Sequence, residues 1–266
     1  MLNTKNREGF APGYTQITSE LDAVGIEFGI LKLKAGQLHE ERTSGEAAYL
    51  LMNGSADIKW MAPGSSEGRA TVSRTSLFDD DPTTLHACVG STVGIRAETD
   101  CEWAVMRTEN NDRFDARLFL PSDVKPEYRG KGLAQDACLR NVRLVFDRDV
   151  RPESKLVVGE VVNYPGRWSS YPPHHHDQPE IYHYRFTLPQ GYGHGEVGDD
   201  VFKLRNFDTL SIAGGNDHAQ VSAPGYGMYY LWIVRHLDGN PYLGFEFTED
   251  HRWVLDPKNQ GWEPKA

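Results

Sequence analysis

The sequence predicts an all-β protein folded as two tandem barrels. Short apolar runs recur between turn signals, glycine (26) and proline (15) are plentiful, and long helical periods are scarce, a pattern of sandwiches and barrels. Two β-rich blocks flank a polar stretch, Glu109 to Glu153. The blocks also share a spacing. Thr84-Leu85, Gly90 and Val105 lie 125 residues before Thr209-Leu210, Gly215 and Tyr230, which aligns two strand–turn–strand units without a gap and suits two copies of one domain.

In the first block, Ala47 to Met52 and Ser55 to Trp60 read as a hairpin closed by Asn53-Gly54, a pair that supplies the positive φ angles of a tight turn. After the turn Ala56, Ile58 and Trp60 alternate with Ser55, Asp57 and Lys59, the period of a half-buried strand. The second block runs from about Leu156 to Val254, with strand-like Ile181 to Leu188, Phe202 to Leu204, Thr209 to Ile212 and Met228 to Val234. The polar stretch between them holds Asn110-Asn111-Asp112, Pro121, Pro126 and Arg129-Gly130-Lys131-Gly132. It reads as a connection with one strand-like piece, Val142 to Phe146, and a short helix near Leu133 to Leu139. The expected organisation is an N-terminal barrel over 1–110, a connecting segment over 111–155 and a C-terminal barrel over 156–266.

The 266 residues carry 38 acidic and 28 basic side chains, a formal charge of −10. Such a surface repels a phosphate backbone, so nucleic acid is not an expected partner. A small anionic substrate stays compatible, because a few arginines dominate a pocket locally. Cys88, Cys101 and Cys138 are odd in number and widely spaced, as in reduced thiols rather than a disulfide frame or a zinc knuckle. The start, Met1 to Phe10, contains no apolar run of a secretory signal. The longest apolar run, Met228 to Val234, is far below the ~20 residues that cross a bilayer. A soluble, cytoplasmic protein without a membrane partner is expected.

The sharpest chemical signal is Pro172-Pro173-His174-His175-His176-Asp177-Gln178-Pro179-Glu180, leading into the strand Ile181 to Phe186. Side chains alternate along a strand, so His174 and His176 share a face that His175 leaves. Glu180 opens the next strand, with Tyr182 and Tyr184 on its face. A fourth ligand is expected from a distant strand. His218, between the turn Ala213-Gly214-Gly215-Asn216-Asp217 and the strand-like Ala219 to Ala223, is the candidate. Three nitrogens and one oxygen suit a single divalent ion with open positions, Zn or Mn first and Fe or Ni after them. A histidine run can also be a solvated loop; the proline lead-in, Glu180 and His218 favour the site. His39, His86, His183, His194, His236 and His251 read as structural or solvated, with His183 pointing away from the metal.

His174-x-His176-x3-Glu180 with a later His218 resembles the two-part cupin signature. The segments Trp168 to Pro173 with His174-x-His176-Asp177, Glu180-Ile181-Tyr182-x-Tyr184-Arg185-Phe186, Ala223-Pro224-Gly225-Tyr226 and Tyr229-Tyr230-Leu231 are similar to the 5-deoxy-glucuronate isomerase family of myo-inositol catabolism. So are Arg42-Thr43 to Glu46, Asn53 to Asp57 and Phe78 to Pro82 in the first block. The resemblance implies two cupin jelly-roll barrels and conversion of 5-deoxy-glucuronate to 5-dehydro-2-deoxy-gluconate. The His176–Glu180 segment is shorter than in those enzymes and closer to the related 4-deoxy-5-ketouronate isomerases of pectin breakdown. The Lys131 to Ala137 stretch also departs from the family pattern. In the first barrel Val93 stands at the place of His218, and Arg42 and Glu40 precede Glu46 where His176 and His174 precede Glu180. One metal-binding and one degenerate barrel are expected, the latter serving packing or homo-oligomerisation.

The implied reaction moves a carbonyl between C1 and C2 of an open-chain sugar acid. A metal would bind the aldehyde oxygen and adjacent hydroxyl, and a proton would pass from C2 to C1. Tyr182, Tyr184 and Tyr230 are the candidate carriers; a hydride shift needs none, and each tyrosine can equally be a packed ring with a bonded hydroxyl. The substrate carboxylate calls for a planar donor. Arg167, just before the metal loop, is the first candidate and Arg129 the second, whereas Arg185 points outward by parity. Two other readings stay open, an Fe-dependent cupin dioxygenase and a non-catalytic sugar-binding cupin.

Overall fold

In the computed structural model, which describes residues 1–259 and 261–264, the chain forms three antiparallel sheets arranged as two jelly-roll barrels. The first barrel is built around one 16-residue strand, Glu46–Met61. Its first half pairs with Thr84–Ala87 and Cys101–Thr108. Its second half pairs with Gly68–Arg74 and Thr92–Ala97. The second barrel has a seven-stranded wall ordered Leu2–Asn3, Thr209–Ile212, Glu180–Phe186, Met228–Arg235, Leu156–Asn163, Arg140–Phe146 and Glu127–Arg129. Its other wall is five-stranded: Asp200–Arg205, Tyr192–Val197, His218–Ser222, Trp168–His175 and Glu246–Phe247.

Three apolar clusters explain why the strands read as they do. Ala47, Tyr49 and Leu51 point into the first barrel, whereas Ala48, Leu50 and Met52 point to a core shared between the barrels. Tyr182, Tyr184, Phe186, Met228 and Tyr230 fill the second barrel. Their neighbours Ile181, Tyr229, Leu231 and Ile233 meet Ala48, Leu50, Phe28 and Met106 in the shared core. A strand buried on both faces needs apolar residues at every position, hence the continuous runs. Past Gly54 the long strand packs on one face only, with Ala56 and Ile58 buried and Asp57 and Lys59 exposed, and the alternation appears there.

Four sequence expectations change. Asn53-Gly54 is no hairpin turn but a bulge within a continuous strand: the register slips between Leu51 and Asn53, and Gly54 takes φ +93. The extra residue also switches the inward parity from odd numbers (47, 49, 51) to even ones (56, 58). The segment 111–155 is not a bare connection. Arg117–Phe119 joins the first barrel's sheet, whereas Glu127–Arg129 and Arg140–Phe146 join the second barrel's wall. At the other end of the first barrel's span, Leu2–Asn3 pairs with Thr209 and Leu210 of the second barrel. No helix forms at Leu133 to Leu139; Ala134, Gln135 and Asp136 all adopt positive φ, and the chain turns through short-range bonds such as Ala137 N to Ala134 O.

The expected duplication is visible in the register. Tyr49 faces Leu85 as Tyr182 faces Leu210. Glu41 faces Val93 as His174 faces His218. The last strand is displaced: Val105, opposite Tyr49, answers to Trp232, opposite Tyr182, rather than to Tyr230. The three cysteines are free and buried. Among the described residues no helix is long and apolar enough to cross a membrane.

Candidate metal centre

The C-terminal barrel brings three of the four predicted ligands, His176, Glu180 and His218, together, with His174 beside them. His174 is the penultimate residue of the strand Trp168–His175 and lies directly opposite His218 in the ladder. Glu180 begins the next strand, opposite Ile212 and Val234. The turn before His218 is clamped to the loop after His176 by a bond from Gly215 N to His176 O (2.7 Å). Gly214, at φ +104, makes that clamp geometrically open, since a Cβ there would lie 2.1 Å from Asp177 O. His175 points the other way, as parity predicts, and pairs with Asp217 at 2.7 Å.

Candidate ligand atoms of His176, Glu180 and His218 lie within 4.8 Å of one another, and all three residues are buried. Glu180 Oε1 is 2.8 Å from His218 Nε2 and 3.5 Å from His176 Nε2. His174 stands beside this trio, its ring centroid 4.3 Å from that of His218 and 6.4 Å from that of His176. Its Nδ1–H donates to Ser170 O (3.2 Å) and that of His218 to Asn216 O (2.9 Å). These bonds fix each ring and leave Nε2 as the free ligand atom.

Glu180 Oε1 and His218 Nε2 are buried without a hydrogen-bond partner, as is His176 Nδ1. Buried polar atoms are normally satisfied. Two orphans 2.8 Å apart match the roughly 3 Å edge between two ligands on an ion with bonds of ~2.0–2.2 Å. The donor set therefore fits a divalent cation. Burial would raise the Glu180 carboxyl, but His218 and His176 hold it far below the usual carboxylate range. Burial would lower His218, and Glu180 overrides it and raises it. Burial, helped by His218, brings His174 down to about 3, so its nitrogen lone pair is available at neutral pH.

Around the ligands runs a cleft of about 70 Å³ lined by His174, His176, Glu180, Tyr182, Tyr230 and Arg140 among others. Larger depressions, about 570 Å³ beside Lys59 and Arg96 and about 630 Å³ between the barrels, hold no such ligand group. Tyr182 shares the inward face of Glu180, and burial, reinforced by the Glu180 charge, pushes its hydroxyl well above 10. Tyr230 lines the cleft and shares a 2.5 Å bond with Ser169 Oγ. Tyr184 is fully buried, its hydroxyl has no partner, and it is not part of the cleft wall.

Of the candidate arginines, Arg167 falls differently from expectation. Arg167 is not in the cleft; its Nη1 donates to Gln135 O at 3.3 Å, because the left-handed turn over 134–136 lies alongside it. Arg129 does line the cleft, and so does Arg140, which the sequence reading passed over with its strand taken as a connection. Arg185 faces the other barrel, paired with Glu102 at 2.5 Å. A second group had no sequence signal: Tyr242 sits edge-on to His176 (4.9 Å) and Phe245 against His174 (4.3 Å). The non-periodic strap carrying them ends in Glu246–Phe247, paired with His174 and His175.

In the first barrel the register places Glu41, Thr43, Ala47 and Val93 at the positions of His174, His176, Glu180 and His218. Ala47, not Glu46, answers to Glu180. One residue along a strand reverses the face, and Glu46 instead accepts bonds from Asn110 Nδ2, Ser154 Oγ and Lys155 N between the barrels. At the vacant ligand face Arg107 reaches Glu41 (2.8 Å), which also accepts the Tyr49 hydroxyl (2.6 Å).

Residues 3–254 match the sequence profile of the KduI/IolB family. The chain belongs to that family. It is 28% identical over 279 residues to a 5-deoxy-glucuronate isomerase of Geobacillus kaustophilus, covering 96% of this chain and 94% of that protein. It is 29% identical over 205 residues to the enzyme of that name from Lacticaseibacillus casei, covering 69% and 71%. An IolB-like protein of Salmonella typhimurium superposes with TM-score 0.83 at 25% identity, over 96% of this chain and 99% of that one. A cupin 2 conserved barrel protein of Leptotrichia buccalis superposes with TM-score 0.54 at 14% identity, over 88% and 96%, a likeness of fold. As a KduI/IolB protein the chain is a two-cupin sugar isomerase.

Proposed function

We propose that this protein is a metal-dependent aldose–ketose isomerase that converts 5-deoxy-glucuronate into 5-dehydro-2-deoxy-gluconate. The observation carrying this is the buried His176–Glu180–His218 group in a chain whose relatives bear that enzyme's name. His174, His176, Glu180 and His218 would hold one divalent ion, Zn or Mn. Such an ion supplies Lewis acidity at the carbonyl and neighbouring hydroxyl of an open-chain sugar acid. The chain's own groups do the positioning. Tyr182, two residues along the strand from Glu180 and on the same face, would support the carboxylate, and Tyr230, backed by Ser169, presents a proton-bearing hydroxyl to the cleft. Tyr242 and Phe245 cover the histidine rings and limit water at the reacting carbons.

The three-residue segment Asp177-Gln178-Pro179 between His176 and Glu180 favours a second reading, isomerisation of 4-deoxy-5-ketouronate. Incubating metal-loaded protein with each uronate and separating the products by chromatography decides between them. Conversion of 5-deoxy-glucuronate alone is expected; conversion of the ketouronate alone would replace the first reading. His176→Ala is expected to remove both bound metal and turnover, and retention of both would refute the site.

A further inference from the structure

We propose that Arg140, with Arg129 across the strand pair, is the specificity group of this cleft and binds the carboxylate at the far end of the sugar acid. The proposal rests on the isomerase reading for its substrate, though not for its chemistry. Arg140 opens the strand Arg140–Phe146 and pairs with Asn163. It shares the inward parity of Val142, and both line the cleft with the metal ligands. Along this wall the rows run Glu180 with Val234, Tyr182 with Trp232, Val161 with Tyr230, and Asn163 with Met228. Arg140 therefore stands at the other end of the wall from Glu180, with Tyr182 and Tyr230 between them. An open-chain uronate carries its carbonyl at one end and its carboxylate at the other.

The buried arginines of the described residues are all paired with carboxylates. Arg74 and Arg143 hold Glu160, Arg151 holds Glu153 and Arg185 holds Glu102. Arg140 has no carboxylate within ion-pair distance among the described residues; its Nη1 donates to Cys138 O at 2.9 Å. Its direct cross-strand partner is another cation, Arg129, tied on its outer side to Glu127. Like charges directly opposite one another destabilise a sheet, and a half-buried guanidinium without a counter-charge gives up part of its hydration for nothing. A bound anion relieves both. Arginine's planar fork fits a carboxylate with two parallel N–H···O bonds, so the ligand class is a sugar acid rather than a neutral sugar.

The test compares wild type with R140Q and R140K. First, binding of D-gluconate and of uncharged D-glucitol to metal-free protein is measured by calorimetry. Wild type is expected to prefer gluconate, R140Q to lose at least tenfold in gluconate affinity with glucitol unchanged, and R140K, which keeps charge without the fork, to fall between. Second, kinetics on 5-deoxy-glucuronate are expected to show a KM rise of at least tenfold in R140Q, with metal content and melting temperature kept. Gluconate binding within twofold of wild type in folded R140Q overturns the proposal, as does failure of wild type to prefer gluconate. Wild type that binds gluconate through Arg140 but turns over no uronate would overturn the isomerase reading and leave the anion site standing.

Discussion

At the scale of single residues the ligand set was legible because two ligands sit two apart where one strand ends and a third opens the next. His218 was reachable through its place between a glycine-rich turn and a strand-like run. Arg140 was not legible, since a cation in a strand taken for a connection has no assigned face. The three tyrosines could not be separated by sequence, because all have inward parity; their hydroxyl environments separate them. Tyr184 has a buried hydroxyl with no partner. Removing an unsatisfied group leaves nothing unpaired behind. Tyr184→Phe is therefore expected to keep turnover within twofold and to match or exceed wild-type stability by up to ~1 kcal/mol in urea unfolding. Tyr182→Phe removes the cleft-lining hydroxyl that shares the face of Glu180 and is expected to lower metal affinity or kcat by about 10–100-fold, as loss of a ligand-orienting partner does. Equal behaviour of the two variants in a chelator-competition assay would show that Glu180 needs no such support.

At the scale of elements, strand existence was readable from apolar runs and strand pairing was not. Ala47 to Trp60 shows why. Asn-Gly carries the same positive-φ signal in a hairpin turn and in a bulge, and only the partners decide. Here Cys101–Thr108 and Thr92–Ala97 lie along successive halves of one strand, so the chain bends from one sheet into the next instead of reversing. Gly54 is the pivot: its φ is +93, and a Cβ would sit 2.3 Å from Asp100 O. Gly54→Ala is expected to destabilise the fold by at least ~2 kcal/mol, the cost of strain plus a backbone collision, measured as a lower urea midpoint. In a free two-residue turn the same change would cost less and leave Asp100 untouched. The strap over the metal cleft behaves differently, since it holds its place through Phe245 on His174 and the short pairing of Glu246–Phe247. Phe245→Ala is expected to speed metal loss to a chelator about tenfold through a less constrained His174, with the melting temperature of the metal-free protein little changed.

At the scale of the whole molecule the two barrels share one apolar core, a property absent from the sequence because it depends on which strand faces meet. Their shared core takes Ile30, Leu50 and Met106 from one barrel and Val158, Ile181, Leu231 and Ile233 from the other. Within it Glu160 accepts bonds from Arg74 and Arg143 and from the Tyr229 hydroxyl. Glu160→Gln leaves two buried guanidiniums short of charge, and a loss of about 3–5 kcal/mol in a single transition is expected. Separate melting of the barrels would contradict the shared core. The duplicated ligand face adds a pH signature to the first barrel, where Glu41 takes the place of His174. Burial would raise Glu41, but His39 at 3.4 Å and bonds from Tyr49 and Arg107 bring it to about 2 from an ordinary 4.5. A carboxyl depressed on folding stabilises the folded state above its unfolded value, and that contribution disappears as pH falls toward the folded value. Wild type should therefore lose roughly 2 kcal/mol from this group between pH 4.5 and 2, allowing for partial exposure. Glu41→Gln should flatten the same limb of the stability curve while leaving metal bound at the second barrel. If Glu41→Gln instead released the metal at neutral pH, the bound ion would belong to the first barrel, and the division into one metal-holding and one ion-paired barrel would be wrong.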